Sequence, residues 1–356
     1  MTTPALAGAL HQRRFLSWFA TAGLAMVVAF LLELALGPVR IPISSVVGLL
    51  VGTTTSPDTW HDIVLAFRLP RALNALVSGA ALGASGLLLQ TLFRNPLADP
   101  FVLGIMHGAR LGVAVLVVVT GVAGGALTSR LGEAGVLATS MAAGAGALAV
   151  LLLMLGLARR VSTVTLLISG LLIGYVCMGL ISVLLHFVDE VQARAFEQWE
   201  GGSFDGVTRL QLFWLTPMTI AGLAVLAALS KALNGLLLGE QYAVSLGVHV
   251  GRTKALAFGA LALLVGPVTA FSGPVPFLGL VAAHVARGGL ATADHRLLLP
   301  ASALAGAVLG LAADVVVHLP WNRHFLHLDA VIGIIGAPVA LWVLLRPSSR
   351  HLRSTL

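Results

Sequence analysis

Nine long stretches of this chain contain no Asp, Glu, Lys or Arg, and that pattern limits the fold more than any other feature. The runs are Phe15 to Leu32, Ala72 to Phe93, Leu111 to Ser129, Ala134 to Ala158, Val161 to Val188, Leu210 to Ser230, Ala255 to Ala286, Leu297 to Ala313 and Ala330 to Leu345. A helix needs about 20 apolar residues to cross a hydrocarbon layer of about 30 Å. The run from Ala255 to Ala286 is too long for one helix and is interrupted by Ser272, Gly273, Pro274 and Pro276, so it divides in two. Ten spans result. A transmembrane barrel does not fit, because its strands would alternate apolar with polar residues. Ile41 to Pro57 is shorter and carries Pro42, two glycines and a Thr-Thr-Thr-Ser cluster; it reads as an interfacial helix and loop. No linker divides residues 1–356, which read as one all-α, polytopic membrane domain.

Only 10% of the residues are charged, against 58% hydrophobic, which excludes an ordinary soluble enzyme. The net charge of +7 comes from cations scattered singly between apolar runs, so no nucleic-acid surface forms. Cys177 is the single cysteine, which excludes internal disulfides and cysteine metal centres. The first apolar run follows Arg13 and Arg14 but is too long for a signal peptide and reads as a first span. Basic residues flanking the short loops favour cytoplasmic termini, thirteen against seven, leaving residues 1–14, 231–254 and 346–356 in the cytoplasm. Asp189, Glu190, Glu197, Glu200 and Asp205 then fall in one outer connection.

Chemistry is sparse. A phosphate-binding loop of the Gly-x-x-x-x-Gly-Lys type needs a lysine in a glycine-rich turn, and the two lysines, Lys231 and Lys254, stand in no such loop. No catalytic residue is assigned, and no cofactor or metal site is expected. A gradient-driven carrier would keep carboxylates or histidines inside the spans. Glu33, His107, His186 and Asp314 all fall near predicted helix ends, where they read as interfacial groups. The expectation is a translocation pathway powered from elsewhere, with a secondary carrier or a non-transporting scaffold as the alternatives. His318, His324 and His327 cluster with Trp321 and Arg323 before the last span; His324 and His327 are candidate ligand contacts at the outer mouth. The spacings Gly79-x-x-x-Gly83 and Gly104-x-x-x-Gly108 suit close helix contact, although a chain with 40 glycines produces such spacings by chance.

Longer motifs carry more information. Arg68-Leu69-Pro70-Arg71 leads through Gly79-Ala80-Ala81-Leu82 and Ser85-Gly86 to Phe93-Arg94-Asn95-Pro96-Leu97-Ala98-Asp99-Pro100. Further along stand Ser169-Gly170, Trp199, Gly201-Gly202, Phe277-Leu278-Gly279-Leu280, Asp294-His295-Arg296, Ala313-Asp314 and Gly336-Ala337-Pro338. Together these resemble the permease family of bacterial ABC importers for iron chelates, heme and cobalamin, over nearly all of Arg68 to Arg346.

The resemblance implies a type II importer: a homodimer of ten-helix subunits in the inner membrane, two separate ATPase subunits below and a periplasmic binding protein above. The cargo it implies first is an iron chelate, siderophore or heme, with cobalamin as the alternative. Arg68 and Arg71 would meet acidic residues of the binding protein, with His318 in the position where the family commonly has an Arg. That replacement would make docking sensitive to pH, because an unperturbed histidine titrates near 6.5. Glu240, Ala243, Ser245, Leu246 and Gly247 would form the coupling helix seated in the ATPase, Ala243 and Leu246 facing it together. The chain departs from the family pattern at Ala283, at Phe325 to Asp329, and at His107 and Arg110, where small or apolar residues are expected.

Overall fold

The computed structural model describes residues 4–53, 57–101, 103–122, 133–158, 160–319 and 326–345. Helix α1 spans Pro4–Ala35, α2 Ile43–Val51 and α3 Asp58–Asp62. The chain then passes through a wide π turn, Ile63–Arg68, into α4, Leu69–Leu92. Pro70 explains the turn: it has no N–H to give to Ala66, and just before it the Leu69 N–H bonds back to Val64. Next come α5 (Ile105–Val122), α6 (Glu133–Ala158), α7 (Thr163–Leu185), α8 (Glu190–Glu200) and α9 (Arg209–Leu237). The short α10 (Glu240–Ser245) precedes α11 (Val250–Ser272), α12 (Leu278–Leu290), α13 (His295–Val317) and α14 (Leu328–Leu345).

Ten of these helices are apolar and correspond to the ten runs. Seven are long enough to cross a membrane; α5, α12 and α14 are shorter. The break in the seventh run falls where its prolines predicted it. The 13-residue α12 measures about 20 Å at 1.5 Å per residue, less than a hydrocarbon layer.

The core is α4, buried along most of its length against α13 and α12. Small residues permit the approach. A Cβ on Gly83 would lie 2.2 Å from the Ser302 carbonyl oxygen, and one on Gly86 would lie 2.2 Å from that of Gly279. The Gly79-x-x-x-Gly83 spacing is therefore a packing seam against Ser302 and Gly306, not a chance repeat. Gly108 meets Gly146 of α6 in the same way.

Helix α1 is attached differently. Its membrane-crossing window contains no fully buried residue; Met26, Ala29 and Phe30 pack half-buried against the core, and hydrogen bonds fasten it near its two ends. Near one end the Arg14 guanidinium donates to the carbonyls of Gly288 and Gly289, at 3.2 and 2.8 Å. At the other, Arg68 donates to the carbonyls of Leu34 and Val39, at 2.8 and 2.5 Å.

Candidate functional site

Two groups of predicted residues come into view, one at each end of the bundle. At the first, α1, α4, α13 and the loop after α8 converge on Arg71. Its Nε donates to Glu33 Oε1 at 2.6 Å and lies 3.2 Å from Asp314 Oδ2, while Nη1 lies 3.3 Å from Asp205 Oδ1. Glu33 and Asp314 are each only 1% exposed. They stand at helix ends as the sequence suggests, but they are not solvated interfacial groups. Three carboxylates converge on one arginine, which gives the buried Glu33 and Asp314 a cation at contact distance that they would be costly to bury without.

His318 completes the network. It follows Asp314 by one helical turn, so its Nδ1 donates to the Asp314 carbonyl at 2.9 Å, and its Nε2 reaches Asp205 Oδ2 at 2.6 Å. Burial alone would push the Asp205 carboxyl up; His318 and Arg71 outweigh it and hold the group below the usual carboxylate range. Glu33, Asp314 and His318 offer ligand atoms within 4.8 Å of one another, but Arg71 already lies against both carboxylates, so the cation they hold is a guanidinium.

Arg68 was expected beside Arg71 at a docking surface. Here it is 4% exposed, with its donors spent on the carbonyls that tie α1 to the π turn. His324, Trp321 and Arg323 lie outside the described residues. His327 is not part of the Arg71 network; its ring packs on Gly201, where a Cβ would lie within contact of Nδ1.

Residues that sequence reasoning set aside as departures form a second, partly buried group. Arg110 of α5 pairs with Glu200 at the end of α8, and His107 packs against Phe101 with ring centroids 4.6 Å apart. The only sequence signal for it was the presence of charge in an apolar helix.

At the opposite end, α10 is a single short turn of helix between two glycines in left-handed or extended positive-φ geometry, Gly239 (φ 114°) and Gly247 (φ 80°). Glu240 accepts from Lys254 Nζ at 2.7 Å and from the Thr163 hydroxyl at 3.2 Å. Ala243 is fully buried against Gly235 and Val248. It therefore does not share a face with Leu246, which is exposed together with Tyr242 and Val244. Ser245 folds its hydroxyl back onto the Tyr242 carbonyl at 2.8 Å. About one turn before the end of α9, Asn234 donates to Asp294 at 2.8 Å, and its Oδ1 accepts from the His295 backbone at 2.9 Å. This joins the helix that leads into α10 to the start of α13.

The FecCD transport family model matches residues 25–346. This chain belongs to the FecCD transport family. Among curated relatives, the vitamin B12 import system permease protein BtuC of Salmonella paratyphi A is 37% identical over 343 residues, covering 94% of this chain and 97% of the relative. BtuC of Escherichia coli O139:H28 is 35% identical over the same shares. A solved structure described as a metal-chelate type ABC transporter in an inward-facing conformation superposes with a TM-score of 0.76 at 25% identity, covering 93% of this chain and 99% of the other. A FecCD family chain is the multi-pass permease subunit of a bacterial ABC importer, whose ATPase is a separate subunit.

Proposed function

We propose that this permease, as a homodimer with cytoplasmic termini in the inner membrane, passes a corrinoid of the vitamin B12 type from a periplasmic binding protein to the cytoplasm. The identity of 35–37% to BtuC chains over almost their whole length carries this reading. It moves the cargo from the iron chelate that the motifs suggested first to cobalamin. Siderophore and heme remain the comparison cargoes.

In this reading Arg71 and His318 receive a carboxylate of the binding protein, which competes with Asp205, the half-exposed member of the network. Such pairing orients docking and speeds it more than it adds affinity. Arg68 supports the edge by fixing the turn behind it. Tyr242, Val244 and Leu246 are the surface offered to the ATPase, and Gly247 lets the chain turn away. The apolar face of α7 that is exposed among the described residues, including Ile168, Leu172 and Tyr175, suits a second copy or the pathway wall.

Uptake into vesicles containing the permease, its ATPase and its binding protein tests the proposal. ATP-dependent accumulation of cobalamin, and not of heme or a ferric siderophore, is expected. Uphill transport by the isolated subunit on an ion gradient would overturn it.

A further inference from the structure

At the α10 end of the bundle, a groove of about 470 Å³ runs between the last turns of α9 and the first turns of α11. Its character changes along its length. Ala228, Leu229 and Leu256 line one part; Lys231, His249 and Arg252 line the other. Lys231 and Arg252 are exposed and have no carboxylate partner among the described residues, whereas nearby Lys254 is bound to Glu240.

Depth gives these cations their meaning. The uncharged stretch of α9 from Leu210 to Ser230 is about 31 Å long at 1.5 Å per residue, the thickness of a hydrocarbon layer, so Lys231 stands at its edge. The uncharged stretch of α11 begins at Ala255, one turn after Arg252. Two successive antiparallel helices thus each bring an unpaired cation to the same boundary, directly beside an apolar trough. The start of α11 has no side-chain cap, which leaves its first-turn N–H groups and the positive end of its dipole at the basic end of the groove.

We propose that this groove binds one anionic phospholipid, its phosphodiester between Lys231 and Arg252 and an acyl chain along Ala228, Leu229 and Leu256. A soluble phosphate would satisfy the cations but not the apolar wall that continues from them. A neutral lipid would satisfy the wall alone. Leu246, Gly247 and Val248, just after α10, also line the groove, so the lipid contacts the segment through which an ATPase would act.

The test is native mass spectrometry of the full chain released from phosphatidylethanolamine–phosphatidylglycerol vesicles. One phosphatidylglycerol should be retained in preference to phosphatidylethanolamine. The K231Q/R252Q variant should lower that preference about thirtyfold, as expected for two basic groups at an anionic surface. K231R/R252K should keep it, and so should the charge-matched control R160Q/R296Q. Should K231Q/R252Q fail to fold, Leu256→Glu, which sets a carboxylate in the trough, must likewise strip the lipid. Equal losses in both glutamine variants, or no loss in K231Q/R252Q, would overturn the site. Displacement by glycerol phosphate would assign the groove to a soluble anion, and loss of the lipid on adding the partner ATPase would assign it to that subunit; either result overturns the proposal.

Discussion

His318 Nε2 and Asp205 Oδ2 lie 2.6 Å apart, and Arg71 reaches the other oxygen of the same carboxylate at 3.3 Å. Asp205 thus occupies both groups that docking would use. Asp205→Asn should weaken this internal competition and tighten binding of the binding protein severalfold. Surface plasmon resonance on the reconstituted permease reads it; weaker docking by the variant would contradict the competition.

The same carboxylate predicts an acid limb. Its pKa is held below the ordinary value in the folded state, so it favours folding at all pH values above the unfolded carboxylate pKa of about 3.9. That contribution disappears as pH falls through the lower, folded-state pKa. Because Asp205 is half exposed, the contribution is at most about 1 kcal/mol. Thermal unfolding of Asp205→Asn should lie slightly below wild type at pH 7 and converge with it as pH falls through the folded-state pKa.

Arg71 carries a larger load. Arg71→Ala leaves Glu33 and Asp314 buried without their cation, and breaking a buried network of this kind costs about 3–5 kcal/mol. A drop of that size in chemical unfolding in detergent is expected. A change below about 1 kcal/mol would mean that water or another group replaces the guanidinium.

The α4–α13 seam predicts a sharp contrast between glycines. Gly83→Ala must push aside the Ser302 carbonyl, an overpacking cost of about 1–3 kcal/mol, whereas a Cβ on Gly23 meets nothing within 4 Å. Gly23→Ala should be neutral or raise the unfolding midpoint slightly. Equal behaviour of the two would refute the seam.

Ala243 in α10 and Leu246 just after it, expected to act together, should separate. Leu246→Asp should reduce stimulation of the partner ATPase at least about tenfold while changing stability by no more than about 0.5 kcal/mol, as surface substitutions do. Ala243→Leu should instead destabilise the bundle by about 1–3 kcal/mol, because Ala243 is fully buried. Measurement of ATPase rate beside unfolding midpoint distinguishes them.

The spans were legible because lipid punishes charge, and the break before Phe277 was legible because proline ends helices. The Arg71 network was not. Glu33 lies 38 residues from Arg71 in sequence and Asp205 134 residues away, so Glu33 looked like a solitary group at a helix end and Asp205 like one more acid of an outer connection. The inward turn of Arg68 was equally hidden, since its partners are main-chain carbonyls, which no side-chain pattern announces. Ala243 and Leu246 were assigned one face by their spacing of three, but α10 ends at Ser245 and Leu246 already lies beyond it. The Arg110–Glu200 pair could have been found by asking why an apolar helix keeps a guanidinium.

The way α1 is fastened has a consequence for how this subunit can drift over evolution. Besides the Glu33 side chain held by Arg71, its polar attachments are guanidinium groups gripping main-chain oxygens near its two ends, which do not depend on the identity of the residues that supply those oxygens. The outward side of the helix, with Leu24, Val27 and Val28 exposed, can exchange one oily residue for another almost freely as long as its length is kept, whereas Met26, Ala29 and Phe30 pack against the core. An insertion or deletion of a single residue there would rotate Arg14 by about 100° relative to the other anchor and release the helix from one end.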